Sequence, residues 1–267
     1  MILNQVKLIV SDLDGTLLNS NHEVSAEFFE LYKVLKEKNI LFVAASGRPY
    51  YSMIDKLAPI KDDIIIVSEN GGLAVENNKL LISNTFNPDN LNSIAKLVTT
   101  LHDAHPVFCT KDKAYVISKS KKLMSLLSEY YSNYDVIDNL DDIKEPVYKI
   151  ALYHEESSEK HIYPTVKHLE SDFKIKVSAN HWVDISENIA NKGYAVNHIQ
   201  ELYNISEAET MVFGDYNNDI EMLKLAHFSY AMENAHPNVK SIANYTTKTN
   251  DDNGVEHIIK QLITSLK

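Results

Sequence analysis

Four things are scarce in this chain. There is a single cysteine, Cys109, so an internal disulfide and a multi-cysteine zinc site are both excluded. Cys109 lies in an apolar stretch, Val107-Phe108-Cys109, and reads as a packed core thiol rather than a nucleophile. Positive charge is also short. The formal net charge is −11 and no run of Lys or Arg makes a basic stripe, which excludes the ordinary nucleic-acid binder. No apolar run approaches the roughly 20 residues needed to span a bilayer. The chain enters its first apolar run without an arginine-rich or apolar leader, so a cytoplasmic protein with no membrane partner is expected. The sequons at Asn204 and Asn244 are then chance matches. Glycine is the fourth. The seven glycines, Gly15, Gly47, Gly71, Gly72, Gly193, Gly214 and Gly254, fall in or near a few short turns. Glycine allows positive φ and close backbone approach, so those turns are where the chain needs it.

What is present begins at residues 8–18. Leu8-Ile9-Val10 reads as a buried strand, and two acids one residue apart follow it, Asp12 and Asp14, then Gly15-Thr16. Like charges this close repel and shift each other's pKa, so the pair makes sense around a cation or where one acid carries a proton. A second segment of the same type lies far along the chain. Thr210 to Phe213 is a strand candidate, followed by Gly214-Asp215-Tyr216-Asn217-Asn218-Asp219 and a helical pattern. Strands of one α/β sheet bind ligands beyond their carboxyl ends, and hard oxygen ligands beside water and phosphate suit Mg²⁺. An EF-hand reading of Asp215-x-Asn217-x-Asp219 fails, because its sixth and twelfth positions hold Ile220 and Ala226 instead of Gly and Glu.

Two more pieces fall between. Ile40 to Ala45 reads as a buried strand ending in Ser46-Gly47-Arg48-Pro49, a hydroxyl, a flexible residue and a guanidinium suited to phosphate oxygens. Asn191-Lys192-Gly193 precedes a helix expected over Tyr194–Leu202, and a lysine there can neutralise phosphate charge.

Together the four pieces resemble the haloacid dehalogenase superfamily. Asp12-Leu13-Asp14-Gly15-Thr16 is similar to its first motif and Ser46-Gly47-Arg48 to its second. Lys192-Gly193 is similar to the third, and Gly214-Asp215 through Asp219 to the fourth. Order and spacing fit the Cof-like subgroup, whose large cap is inserted between the second and third motifs. Ser68-Glu69-Asn70-Gly71-Gly72 and the Thr249–Val255 segment are further local matches.

The fold expected is α/β, a Rossmann-like parallel-sheet core with an inserted α+β cap domain. The core comprises 1–83 and 189–267, and the cap 84–188. Ser25 reads as a helix N-cap and Asn39 as a stop; Asn77-Asn78 turns a hairpin, and Asn87-Pro88 opens a helix. Within the cap, strands are expected at Tyr115–Ser118, Val147–Tyr153, Lys174–Ser178 and Trp182–Ser186, each exposing one face. Helices are expected at Leu123–Tyr131 and Ile162–Leu169.

The resemblance implies the division of labour. Asp12 is the nucleophile that forms an aspartyl-phosphate, and Asp14 is the acid and base. Mg²⁺ is held by Asp12, the backbone carbonyl of Asp14, and Asp215. Ser46 and Lys192 bind the transferring phosphoryl oxygens. Gly15, Thr16, Gly47, Arg48, Asn218 and Asp219 support the metal or touch phosphate or substrate. Relatives that cleave carbon–halogen bonds need no acid two residues after the nucleophile, so Asp14 favours phosphoryl transfer. A cap that closes and excludes water suggests a small phosphorylated metabolite. Phosphorylated sugars lead, with pyridoxal phosphate or a flavin precursor behind them. A phosphomutase of the phosphomannomutase type and a non-catalytic phospho-aspartate sensor are the alternatives.

Overall fold

In the computed structural model, which describes residues 3–118 and 120–266, the chain forms two compact units. One comprises Met1–Gly47, Ile54–Leu81 and Asn191–Lys267; the other comprises Arg48–Met53 and Ile82–Ala190.

The strands run in chain order as follows. β1 is Leu8–Ser11, β2 Leu41–Ala45, β3 Ile65–Ser68, β4 Leu73–Glu76 and β5 Lys79–Ser83. β6 is His105–Cys109, β7 Ala114–Val116, β8 Tyr134–Val136, β9 Lys149–Tyr153, β10 Phe173–Ala179 and β11 Trp182–Glu187. β12 is Thr210–Gly214, β13 Phe228–Ala231 and β14 Tyr245–Thr246.

The first unit is built on an eight-stranded sheet in the order β14-β13-β12-β1-β2-β3-β4-β5. It is parallel from β14 to β3, and β4 returns antiparallel. Its central strands are buried on both faces: Leu8, Ile9 and Val10 have no exposure. That is why they read as unbroken apolar runs instead of alternating ones. Each such side chain contributes about 1.5–3 kcal/mol when it leaves water. The helix Ala26–Glu37 starts where expected, because Ser25 Oγ accepts the Phe28 N–H at 3.0 Å. The hairpin between β4 and β5 turns on Asn77 and Asn78, both at positive φ (45° and 63°), the requirement of a tight two-residue turn.

The second unit carries a six-stranded sheet in the order β10-β11-β9-β6-β7-β8, antiparallel except for the β7–β8 pair. The structure departs from expectation at four points here. β6 was not foreseen, since Pro106 interrupts its short apolar run; β8 was not foreseen either, since Tyr134-Asp135-Val136 offers no buried alternation. The strands do not all expose one face. Ile150, Leu152, Val183 and Ile185 pack into one cluster. Ala151, Tyr153 and Trp182 pack on the opposite face with Tyr51, Leu123 and Leu127, so the central strands are covered twice. The helix expected over Ile162–Leu169 is broken into Ser158–His161, Tyr163–Val166 and a 3-10 stretch at Lys167–Ser171. Pro164 has no N–H to continue the preceding turn. Cys109 is fully buried, as expected.

Among the described residues no helix is long and apolar enough to cross a membrane.

Candidate active site

Topology puts the motifs in a row. β12, β1 and β2 are adjacent parallel strands, and β3 follows β2. Their carboxyl ends are Gly214, Ser11, Ala45 and Ser68, so Asp215, Asp12, Ser46 and the Glu69–Gly71 turn follow side by side. The pairing runs to the strand ends: Asp12 N–H donates to the Phe213 carbonyl at 3.1 Å, and Ser46 N–H to the Val67 carbonyl at 2.9 Å. Lys192 arrives from elsewhere. The helix Lys192–Tyr203 begins at Lys192, two residues earlier than expected, because Asn191 caps it through the Tyr194 N–H at 2.7 Å.

Lys192 is fully buried, and its Nζ lies 2.6 Å from both Asp12 Oδ1 and Asp219 Oδ1. The carboxylates of Asp12, Asp215 and Asp219 bring oxygens within 4.8 Å of one another. Asp219 is spent on the protein. Its Oδ1 takes the ammonium, while Oδ2 accepts the backbone N–H groups of Asp215 and Tyr216 at 2.9 and 3.0 Å. It therefore orients Lys192 and folds the loop that carries Asp215. Asp215 Oδ1 accepts the Thr16 hydroxyl at 3.0 Å. Gly15, at φ 76°, lets the chain turn there, and a Cβ on it would lie 2.4 Å from Asp215 Oδ2. Any other residue would displace the carboxylate.

The electrostatics follow from this crowding. Burial pushes Asp12 well above the usual carboxylate range; Lys192 opposes that, and Asp219 and Asp215 add to it. Burial pushes Asp215 up to about 6, with the Asp219 charge adding and the Thr16 hydrogen bond opposing. For Lys192, burial works to lower the pKa, but Asp12 and Asp219 outweigh it and hold the ammonium above the usual lysine range. With all three carboxylates ionised, one ammonium would leave two negative charges uncompensated, and the raised pKa values of Asp12 and Asp215 register that same crowding. A divalent cation fits that deficit, and the donor set is the hard oxygen type that Mg²⁺ takes. Since both Asp219 oxygens are occupied, Asp12 and Asp215 are the side chains left to hold it.

The side chain of Asp14 is not in this cluster. It is two-fifths exposed and hydrogen-bonds His22 Nδ1 at 3.2 Å. Ser46 is buried just past the end of β2, Thr16 is buried in the turn after Asp14, and Gly47 follows Ser46. Arg48 is 8% exposed, groups with the second unit, and donates to Ser52 Oγ at 3.4 Å. Asn218 Nδ2 donates to Asn70 Oδ1 at 3.1 Å. Two residues that contact this set were not singled out from the sequence. His22 carried no sequence signal. Asn70 lay inside a noted motif, and its signal was an Asn-Gly-Gly turn straight after an apolar strand.

The family description "haloacid dehalogenase-like hydrolase" matches residues 9–259. The 5-amino-6-(5-phospho-D-ribitylamino)uracil phosphatase YbjI of Escherichia coli (strain K12) is 31% identical over 261 residues, covering 97% of this chain and 96% of that protein. The phosphatase YwpJ of Bacillus subtilis (strain 168) is 27% identical over 288 residues, covering 97% of this chain and all of that one (100%). The crystal structure of a haloacid dehalogenase-like hydrolase from Bacteroides thetaiotaomicron superposes with a TM-score of 0.85 at 26% identity, covering 96% of this chain and 99% of that one.

Proposed function

The chain belongs to the haloacid dehalogenase-like hydrolases, and from that premise we propose that it is a Mg²⁺-dependent phosphatase of small phosphorylated metabolites. The observation that carries the reading is Lys192, buried and bonded to Asp12 and Asp219 in a cluster with two negative charges to spare. An ammonium beside surplus carboxylates supports a site that takes a cation and a phosphate together.

The chemistry is assigned residue by residue. Asp12 attacks phosphorus, the bond to the leaving oxygen breaks, and an aspartyl-phosphate forms. Asp14 gives its proton to the leaving oxygen. It then takes a proton from the water that attacks the intermediate, which releases inorganic phosphate and restores Asp12. An ammonium has three N–H donors. Asp12 and Asp219 take two from Lys192, so the third remains for a phosphoryl oxygen. The Ser46 hydroxyl is a second donor to those oxygens, and donors set in advance stabilise charge as it develops. Mg²⁺ held by Asp12, Asp215 and the Asp14 carbonyl would neutralise the charge that otherwise sets the nucleophile against its substrate.

Phosphorylated sugars and sugar alcohols are the leading substrate class. The Escherichia coli relative is named for a phosphorylated ribityl chain on a uracil, which supports a polyol phosphate. Choice among leaving groups is assigned to the inserted residues 84–188, which carry none of the four motifs. The test is phosphate release from a panel of sugar phosphates and other small monoesters, with Mg²⁺ and with EDTA, for the wild type and Asp12→Asn. Metal-dependent turnover absent from Asp12→Asn is the expected result. No release from any monoester by folded, metal-supplied protein would overturn it and make a bisphosphate-activated isomerisation the next assay.

A further inference from the structure

We infer that Asn70 is a positioning residue of the phosphate pocket, holding the Ser46–Gly47 turn and the Asn218 amide in one arrangement. The inference rests on the phosphatase reading above.

The turn after β3 is strained. Directly after β3, Glu69, Asn70 and Gly71 all have positive φ: 51°, 54° and 92°. Non-glycine residues pay for this region and stay there only when their surroundings over-determine them. Asparagine is among the few that tolerate it. An ordinary strand exit needs no such run, so something is gained by it.

The contacts show what is gained. The Asn70 N–H donates to the Ser46 carbonyl at 3.0 Å. Its Oδ1 accepts from Asn218 Nδ2 at 3.1 Å. Its amide lies flat over Gly47: a Cβ there would stand 3.0–3.3 Å from the three amide atoms. The next residue, Gly71, packs on the carbonyl of Asn191, the cap of the helix that begins with Lys192. One turn thus touches the supports of Ser46, of Asn218 and of Lys192. These come from three separate segments of the chain, and nothing in their local sequence fixes them relative to one another. The left-handed conformation is what lets Asn70 offer its backbone to Ser46 and its side chain to Asn218 at once.

The test uses the full chain. Asn70→Gly keeps the positive φ without strain and deletes only the amide. Asn70→Asp keeps an acceptor for Asn218 but puts a negative charge beside the phosphate. The readouts are kcat and KM on the best monoester of the panel, product inhibition by inorganic phosphate, and the melting temperature. We expect Asn70→Gly to lose about 10- to 100-fold in kcat/KM, the usual cost of removing a supporting partner. Phosphate inhibition weakens in parallel, with little change in melting temperature. Asn70→Asp raises KM and keeps kcat closer to wild type. Adding Asn218→Ala to Asn70→Gly costs little more than the worse single change, because the two act as a unit.

Wild-type kcat/KM and phosphate inhibition in Asn70→Gly would overturn the inference, as would a fully additive double variant. Should Asn70→Gly not fold, an unchanged KM in Asn70→Asp overturns it instead. The two readings fail separately. An active wild type with a dead Asp12→Asn keeps the phosphatase, and a wild-type-like Asn70→Gly then sinks this inference alone. A wild type that releases no phosphate sinks the phosphatase and this inference with it.

Discussion

Each unit buries a lysine beside an acid, and the two pairs differ. In the first unit, Lys192 bridges Asp12 and Asp219 at 2.6 Å, with Asp215 close by and negative charge in excess. In the second, Lys149 stands 3.9 Å from Asp184, at the outer limit of an ion pair; their side chains are 5% and 11% exposed. Among the described residues, only the first draws three carboxylates within ligand distance. A buried pair is weak evidence of stability, because desolvation offsets most of the attraction. An unbalanced cluster is different. Its charge costs the fold something unless a ligand arrives to neutralise it, so the imbalance points to function where the looser pair does not.

The sharpest way to break this comparison is to remove each lysine and its acid. At the first site the loss should be catalytic. Asp12→Asn is expected to lower kcat by about 10⁴-fold or more, the range seen when a nucleophile is removed. Lys192→Met removes one donor to the developing charge and should cost about 10²–10³-fold. Steady-state kinetics with saturating Mg²⁺ decide this. A Lys192→Met enzyme with wild-type kcat would leave the two lysines equivalent.

At the second site the loss should be structural. Lys149→Met removes a buried ammonium 3.9 Å from Asp184, and breaking a buried pair from one side costs up to about 3–5 kcal/mol. Lys149→Met with Asp184→Leu should recover the part of that loss owed to Asp184, since that charge then leaves the interior too. Urea denaturation of the two variants is the measurement. A double variant as unstable as the single would mean that the pair's geometry, not its desolvation, governs this part of the sheet.

The same division explains what the sequence could reveal. Strands of the parallel sheet are buried on both faces and end in charge, so Leu8–Val10 with Asp12, and Met211–Phe213 with Asp215, stand out as apolar runs with acidic ends. Their adjacency could be inferred only from the repeated pattern. The second sheet has no such punctuation. Its strand with Pro106 and its helix with Pro164 are each interrupted by a residue that local rules read as a break. Asp219 was legible as an acid near the site, but not as the acceptor of two backbone N–H groups, because that depends on how residues 215–219 fold back on themselves. His22 and Asn70 make their contacts from turns at positive φ, and φ is not written in hydropathy.

Metal sharpens the comparison next. An ion that binds only the folded state raises stability, by about 2.7 kcal/mol at one hundred times its Kd. Mg²⁺ should therefore raise the melting temperature of the wild type, and EDTA should reverse the gain. Asp215→Asn removes one of the two carboxylates left to hold the ion, so its melting temperature should respond to Mg²⁺ weakly or not at all. Lys149→Met, which changes none of the three clustered carboxylates, should keep the full response. Equal responses in all three proteins would mean that the ion does not bind at the cluster.

The smallest expected effect concerns a buried acid that bonds a hydroxyl instead of a lysine. Glu256, in the first turn of the helix Gly254–Ser265, accepts the Ser25 hydroxyl at 2.6 Å. Burial raises its pKa above the usual 4.5, and the Ser25 hydrogen bond offsets this only in part. A raised carboxylate pKa means that the fold prefers the neutral form. Below the ordinary range both folded and unfolded states are protonated and Glu256 costs nothing. As pH rises past that range the unfolded state ionises first, and above the raised value the full cost is present. Glu256→Gln keeps an acceptor for Ser25 without the charge, so it should stabilise the protein at pH 7 by on the order of 1 kcal/mol. At pH 4 the gain should vanish. Thermal melts of both proteins across that range provide the check. A stability gain that did not depend on pH would locate it in packing and remove the charge from the explanation.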